Sequence, residues 1–134
     1  LLSERGGSLY SEAAVSLIDS LENGRGETHV VNLRNKGALP FMEDDDVVEV
    51  PATVGPGGCE PIPVRGFDNG HIIALMRTVK AYERHAVRAA LDGSRTEALR
   101  ALAIHPLVGD LDAARSCFEE LLEVHREYLP RFFA

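Results

Sequence analysis

The sequence contains 134 residues, of which 45% are hydrophobic and 26% charged, and its formal net charge is −7. This acidic excess disfavours binding to nucleic acid or anionic lipid, and no apolar run approaches the roughly 20 residues of a membrane-spanning helix. The two cysteines are far apart and lack metal-binding spacing, which is typical of a reducing compartment, so we expect a cytoplasmic globular protein.

The N-terminal stretch predicts a capped helix that begins near Tyr10. The pair Gly6-Gly7 permits a tight turn, after which the hydroxyl of Ser8 or Ser11 can cap the helix. An apolar stripe at helical spacing follows, and Gly24 supplies the stop. The stripe consists of Ala14, Leu17, Ile18 and Leu21. By spacing alone, a tyrosine at such a helix start is more often packed than functional.

Three short strands are predicted after this helix. The β-rich runs cover residues 27–33, 47–54 and 59–64 and are separated by turn residues. The connections are short, so antiparallel pairing is expected. Because Pro51 interrupts the second run, we expect an edge strand or a bulge there.

The second half of the chain is predicted to be helical. Apolar residues keep a helical period from about residue 68, and two further helices follow. Their expected starts and stops are Gly93, Ser94 with Glu97 at the capping-box position, Asp110 and Pro130. The order is therefore helix, small sheet and three helices, which predicts an α+β fold in one domain over residues 1–134.

Arg34 is the most informative charged residue because it stands between Asn32 and Asn35 at a predicted strand end. A guanidinium at such a position can bind a phosphate or a carboxylate through two parallel hydrogen bonds. A surface arginine paired with nearby acids is nevertheless the more frequent arrangement. The sequence alone leaves both interpretations open.

Metal and dinucleotide sites are not indicated by the sequence. The five histidines are scattered and lack partners at metal-binding spacing, so each is interpreted as a surface or structural histidine. The glycine-rich run 55–58 joins two predicted strands, whereas a dinucleotide-binding loop leads into a helix. We therefore expect no bound metal or cofactor on these residues.

Five stretches, in the same order, resemble the family 4 glycoside hydrolases, and the 6-phospho-β-glucosidases in particular. They cover residues 5–14, 29–37, 48–51, 79–84 and 105–108. The resemblance implies a C-terminal domain similar to that of lactate and malate dehydrogenases, preceded in the longer protein by an NAD-binding Rossmann domain. Because the chain begins with Leu1 and the first motif follows almost at once, we expect a fragment of such a protein.

The reaction implied by the resemblance requires NAD and a divalent metal, usually manganese. In the family, NAD takes a hydride from C3 of the sugar, a base removes the C2 proton beside the metal, and the leaving group departs from C1. Water then adds, and the hydride is returned. The family's base corresponds to Tyr10, whose phenol needs a neighbouring positive charge to act as a base. The family's cofactor and metal ligands lie outside these residues, so the fragment alone is expected to be inactive.

The resemblance also assigns substrate contacts. Phospho-specific members tend to carry arginine in the turn after the first strand, so Arg34 is the candidate ligand of the substrate phosphate. Asn32 and Asn35 are candidate contacts for the sugar or the phosphate, and Lys36 stands where asparagine is common. The expected substrate is a phosphorylated disaccharide or β-glucoside, and the intact enzyme is expected to be a homo-dimer or tetramer.

Three alternatives are considered beside this assignment. An α-glucosidase or α-galactosidase of the same family would share the fold. A 2-hydroxy-acid dehydrogenase would have a related C-terminal domain with a catalytic histidine, which no histidine here matches convincingly. A non-catalytic oligomerisation module is the third alternative, because amphipathic helices can also bury their apolar faces against a partner.

Overall fold

The computed structural model describes residues 9–134. In chain order it contains helix α1 (Tyr10–Asn23), strands β1 (Thr28–Arg34), β2 (Val47–Gly55) and β3 (Gly58–Pro61), and helices α2 (Gly70–Asp92), α3 (Arg95–Ile104) and α4 (Leu111–Val124). The predicted α+β class with an antiparallel sheet is confirmed. The chain divides after Phe67 into two compact units. The single domain and the separate Rossmann domain stay predictions.

The first unit is built on a three-stranded antiparallel sheet in the order β1-β2-β3. Burial alternates along β2, and its covered face supplies four core residues. These are Val48, Val50, Ala52 and Val54, each at most 5% exposed. Helix α1 packs against this strand. The sheet therefore has one covered face and one face open to solvent.

Pro51 lies in the middle strand, so the predicted edge position or bulge is wrong. The register of β1 on β2 continues through the pair Val30 and Pro51 without interruption. The Pro51 carbonyl accepts a hydrogen bond from the Ile62 N–H at 2.8 Å, so the backbone of Pro51 faces the β3 side. It does so just beyond Pro61, the last residue of β3. The missing N–H therefore removes no hydrogen bond between β1 and β2.

Helix α1 begins at Tyr10 as predicted, but its predicted cap is not confirmed. The N-cap residue is Leu9, which makes no side-chain capping hydrogen bond. Ser11 lies inside the first helical turn, so its predicted capping role is wrong. Ser8, like the preceding Gly6-Gly7 pair, lies outside the described residues.

The buried side of α1 also differs from the predicted apolar stripe. Ile18 is 57% exposed, whereas the polar residue Ser20 is fully buried. A capped end follows at Gly24, which adopts a left-handed conformation with φ of 66° and donates its N–H to the Ser20 carbonyl. The predicted stop is confirmed.

The second unit contains α2, α3 and α4, with α3 packed against both of the others. The predicted caps of α3 and α4 are confirmed: Ser94 Oγ accepts from the Glu97 N–H, and Asp110 Oδ1 accepts from the Ala113 N–H. Helix α4 ends at Val124, earlier than the predicted stop at Pro130. Two 3₁₀ turns follow instead, Arg126–Tyr128 and Pro130–Phe133. No helix within residues 9–134 combines the length and apolar character needed to cross a membrane.

Gly93 closes α2 against the C-terminal segment of the same unit. Its φ is 66°, and a Cβ atom there would lie 2.1 Å from the Arg131 carbonyl oxygen. Gly109 has a similar φ of 74°, but a Cβ atom there would meet nothing within 4 Å. Glycine at position 93 therefore meets two requirements, a left-handed conformation and an absent side chain, whereas Gly109 meets only the first.

Gly93→Ala is expected to destabilise the second unit by about 3 kcal/mol or more, because the left-handed conformation and the overpacking each add a cost. The matched variant Gly109→Ala is expected to cost only about 1 kcal/mol. Urea unfolding followed by circular dichroism measures both. Equal costs for the two variants would contradict the contact between Gly93 and the Arg131 backbone.

His85 of α2 and Glu97 of α3 join the two helices. The His85 Nδ1 and Glu97 Oε2 atoms lie 2.6 Å apart, and Arg100 donates to the other carboxylate oxygen at 2.6 Å. The Glu97 side chain is thus used between helices and does not complete the predicted capping box, since the Ser94 N–H binds the Ala89 carbonyl. The hydrogen bond from His85, with a further one from Arg100, lowers the pKa of Glu97 below its ordinary 4.5, against an opposing effect of partial burial.

This lowered pKa predicts a loss of stability in acid. Because the folded-state pKa of Glu97 is lower than its unfolded value of about 4.5, the pair stabilises the fold above that pH. The stabilisation is lost as the pH falls through the folded-state pKa. Urea midpoints at pH 7, 4.5 and 3 should therefore fall less steeply for Glu97→Gln than for the wild type. Glu123→Gln removes an exposed glutamate and is the control. Identical slopes for the wild type and Glu97→Gln would refute the linkage.

Candidate functional site

The last residues of β1 present two of the predicted site residues on one face. Burial alternates along the strand, and Asn32 and Arg34 both fall on its exposed face. In the register with β2, Asn32 lies opposite Glu49 and Arg34 lies opposite Val47. Residues two apart on a strand point to the same side, about 6.5 Å from each other. The two side chains can therefore act on one ligand.

Arg34 is exposed and makes no hydrogen bond or ion pair with any residue in the described part of the chain. The sequence left open whether nearby acids pair with it, and Glu49, a diagonal neighbour on the same face, does not. Within residues 9–134, no donor of the guanidinium is therefore used in another hydrogen bond or ion pair. Such a group can receive a phosphate or carboxylate without first breaking another pair.

Asn35 lies inside the turn that follows β1. Its side chain is fully buried, its Nδ2 donates to the Leu39 and Met42 carbonyls at 3.0 Å, and its Oδ1 accepts from the Leu39 N–H at 2.7 Å. Its own N–H donates to the Asp46 carbonyl at 2.7 Å. Asn35 thus closes the turn formed by residues 35–46, with a side chain that is buried rather than exposed to a ligand.

Lys36 occupies the one left-handed position among the non-glycine residues that the structure describes, with φ of 44°. Its ammonium lies 3.8 Å from a carboxylate oxygen of Glu60. A left-handed conformation is costly for lysine but well tolerated by asparagine. This backbone geometry gives a physical reason for the asparagine that the resemblance associates with the position.

The segment after β3 meets the same turn. The Val64 N–H donates to the Ala38 carbonyl at 2.8 Å, and the Phe41 and Phe67 rings stack with centroids 5.7 Å apart. A cavity of about 370 Å³ lies between the turn and this segment, and its lining includes Arg65. Its size is within the range of small-molecule sites.

Tyr10 is the first residue of α1 and is 76% exposed. It makes no hydrogen bond or ring contact with another residue of the range 9–134. The structure therefore leaves the phenol accessible but does not join it to Asn32 or Arg34 by a direct contact. All residues from 10 to 15 are exposed, whereas the second half of α1 carries the packed positions.

A cluster that the sequence did not reveal joins α1 to the start of β1. Ser20 Oγ donates to Glu27 Oε2 at 3.0 Å and lies 3.0 Å from His29 Nε2. Ser20 is fully buried and its proton is directed to the carboxylate, so the cluster lacks the accessible, base-activated hydroxyl of a nucleophile. The available signal was a serine between Leu17 and Leu21 on the predicted apolar stripe.

The histidines with described partners have structural contacts, as predicted. His29 contacts Ser20, and His85 contacts Glu97. His105 Nδ1 accepts from the Leu107 N–H at 3.2 Å, and the ring packs edge-on against Tyr82 with centroids 4.5 Å apart. Each contact holds a turn or joins two elements.

The surface beside α1 is poorly suited to bind a metal or a phosphate. An open cavity of about 610 Å³ lies beside this helix, but its lining carries three carboxylates, from Glu12, Asp19 and Glu27. Such a surface disfavours a sugar phosphate, and Arg25 there is already paired with Asp19 at 2.6 Å. Residues 9–134 contain no group of three or more His, Cys, Asp or Glu side chains that could hold a metal ion.

Comparison with known proteins identifies similar sequences and structures. The sequence matches the family 4 glycosyl hydrolase C-terminal domain over residues 2–108. It is 41% identical over 128 residues to the 6-phospho-beta-glucosidase of Thermotoga maritima, covering 96% of this chain and 31% of that protein. It is 34% identical over 119 residues to a phospho-alpha-glucosidase of Clostridium acetobutylicum, covering 89% of this chain and 26% of that protein.

A solved structure of the 6-phospho-beta glucosidase from Thermotoga maritima with manganese, NAD⁺ and glucose-6-phosphate superposes with a TM-score of 0.83. The sequence identity is 40%, and the match covers 92% of this chain and 30% of that one. The chain thus spans less than a third of the length of the curated relatives it matches.

Proposed function

The chain belongs to family 4 of the glycosyl hydrolases, where it corresponds to the C-terminal domain, and we propose that it forms the substrate-binding part of a longer enzyme that hydrolyses 6-phospho-β-glucosides. The observation that carries the proposal is Arg34 at the end of β1, which is exposed and has no partner among residues 9–134, in a chain 41% identical to a 6-phospho-beta-glucosidase over 96% of its length. The full-length enzyme is proposed to be a cytoplasmic homo-oligomer.

Arg34 is proposed to bind the substrate phosphate. A planar guanidinium offers two parallel N–H donors to two phosphate oxygens, which fixes the orientation of the phosphate as well as its position. Asn32, on the same exposed face, is proposed to donate its side-chain amide to the sugar or the phosphate. Neither side chain has a hydrogen bond to another residue of the range 9–134 that would have to break before the substrate binds.

Asn35 is proposed to position the turn rather than to touch the substrate. Its buried amide uses both polar atoms on the backbone of Leu39 and Met42. This fixes the residues that follow Arg34 and holds one wall of the 370 Å³ cavity. We assign that cavity to the part of the substrate next to its phosphate, since it adjoins the same turn.

Tyr10 is proposed to remove the proton from C2 of the sugar, after which the glycosidic oxygen leaves C1. Its exposed position at the start of α1 leaves the phenol oxygen accessible to a substrate. Oxidation at C3 and stabilisation of the resulting negative charge are the chemistry that bound NAD and manganese supply. The described residues do not form a site for that metal, so its ligands are assigned to other parts of the longer protein.

An α-glycosidase of the same family is the second candidate function. A phospho-alpha-glucosidase is 34% identical over 89% of this chain, only moderately below the β-specific relative. Both relatives are named as acting on phosphorylated sugars. The phosphate is therefore the more strongly supported part of the substrate assignment, and the β anomer follows from the higher identity.

The function is tested by turnover in the full-length enzyme with NAD and manganese. We expect cleavage of a chromogenic 6-phospho-β-glucoside and none of its unphosphorylated twin or of the 6-phospho-α-glucoside. The isolated 134-residue chain is expected to cleave none of them. Activity on unphosphorylated substrates alone would overturn the assignment, and a preference for the α-glucoside would select the second candidate.

A further inference from the structure

Helix α1 is held at its second half. Residues 10–15 are exposed, whereas Ser20 is fully buried and Gly24 lies against Pro56, where an added Cβ atom would come within 3.2 Å. The start of the helix therefore extends from an anchored end within the part of the chain described. Among residues 9–134, the contacts of the anchored half are therefore the ones that hold Tyr10 in position.

Two hydrogen bonds of Ser20, one to Glu27 and one to His29, attach α1 to the start of β1. Ser20 has one hydroxyl proton, and that proton is donated to Glu27 Oε2 at 3.0 Å. The contact of 3.0 Å between Ser20 Oγ and His29 Nε2 must then be donated by the Nε2–H of the imidazole. The His29 side chain is only 15% exposed, so few waters can replace the serine, and Glu27 Oε2 lies 3.7 Å from His29 Nε2, too far for a normal hydrogen bond.

We propose that Ser20 and His29 are positioning residues for Tyr10: their hydrogen bond fixes the direction of α1 relative to β1, the strand that ends in Arg34. Ten helical residues separate Ser20 from Tyr10, a rise of about 15 Å. Five strand residues separate His29 from Arg34, a similar rise of about 16 Å. The reaction named here rests on the proposed function, whereas the placement of Tyr10 does not.

The expected effect follows from the length of the helix. A tilt of only about 4° at the anchor displaces the far end by about 1 Å over the ~15 Å rise. A misplacement of about 1 Å at a reacting group can lower a rate by about 100-fold. Arg34, by contrast, is held in the β1–β2 ladder, so binding of the substrate phosphate should not change.

The first test compares Ser20→Ala with Ser16→Ala in the full-length enzyme. Ser16 lies one turn earlier on α1, and its hydroxyl has no hydrogen bond within residues 9–134. Ser20→Ala is expected to lower kcat on the 6-phospho-glucoside at least tenfold with KM changed less than twofold, and Ser16→Ala to leave both unchanged. A parallel change in kcat and KM, or no change, would refute the positioning role.

The second test uses His29→Gln and His29→Asn, which remain informative if Ser20→Ala does not fold. Glutamine can still present an N–H donor near Ser20 Oγ, whereas asparagine is one methylene too short. We expect His29→Gln to retain kcat within threefold of the wild type and His29→Asn to lose it as Ser20→Ala does. In the double variant of Ser20→Ala and His29→Asn the losses should not multiply, because both remove one interaction. Equal kcat for the two His29 variants would count against the proposal.

A readout other than turnover separates this inference from the proposed function. The ¹⁹F resonance of 3-fluorotyrosine at Tyr10, identified by its loss in Tyr10→Phe, should shift or broaden in Ser20→Ala and His29→Asn but not in Ser16→Ala. An unmoved resonance would overturn the inference even in an active enzyme. A wild type without phospho-glucosidase activity would overturn the function, and the resonance would still decide the placement of Tyr10.

Discussion

Replacing Tyr10 by phenylalanine in the full-length enzyme is expected to lower kcat by about 10²- to 10⁴-fold, the usual contribution of a positioned acid or base. The variant loses only the phenol oxygen and keeps the ring at the start of α1. KM for the 6-phospho-β-glucoside should change little, since Arg34 and Asn32 remain. Steady-state turnover with NAD and manganese measures both constants.

Tyr128→Phe is the matched control, because Tyr128 is 73% exposed, similar to Tyr10 at 76%. It should retain full activity. Exchange of the C2 proton of the substrate with D₂O adds a second readout, and it should be abolished in Tyr10→Phe alone. Normal exchange together with slow turnover would assign the C2 proton to another base.

Arg34→Ala is expected to lower kcat/KM for the 6-phospho-β-glucoside by about 10²- to 10³-fold, mainly through KM. Truncating one partner of a charged, hydrogen-bonded pair costs about 2–5 kcal/mol, which brackets that range. Arg34→Lys keeps the charge but loses the two-pronged geometry, so its loss should be intermediate. Turnover across a range of substrate concentrations separates KM from kcat.

Arg88→Ala is the control for Arg34, because both arginines are exposed and lack a described partner, but Arg88 lies on α2 in the second unit. Its activity should match the wild type. If Arg34→Ala affects KM no more than Arg88→Ala, Arg34 is a surface charge and the phosphate must bind elsewhere.

Local signals predicted the fold well where one stretch of sequence contains all the interacting residues. Ser94 and Asp110 cap helices through the N–H groups of residues three positions later, so sequence spacing was sufficient to find them. The position of Pro51 was predicted wrongly. Whether a strand tolerates a proline depends on which neighbouring strand the backbone of that proline faces, and this is known only once the order of the strands is known. The end of α4 was missed because no breaker residue marks Val124.

The candidate site likewise contains some features that could be predicted from the sequence and others that could not. The shared face of Asn32 and Arg34 follows from the two-residue period of a strand, which the sequence displays. The burial of Asn35 could not be predicted, since it depends on a turn that returns to the residue from both Leu39 and Met42. The serine at position 20 interrupts the predicted apolar stripe, but its partner His29 could not be predicted, because the two residues meet only when helix and strand pack.

The turn formed by residues 35–46 is stabilised internally, because the Asn35 side chain forms hydrogen bonds with the backbone of Leu39 and Met42. Lys36 and Pro40 are exposed, and the ion pair of Lys36 with Glu60 of β3 is exposed as well, so it contributes little to the stability of the sheet. Sequence drift at these positions can alter the surroundings of Arg34 at little risk to folding. Substitutions at Lys36 and Pro40 can therefore change which sugar phosphate is bound without unfolding the protein. A library randomised at these two positions would test this.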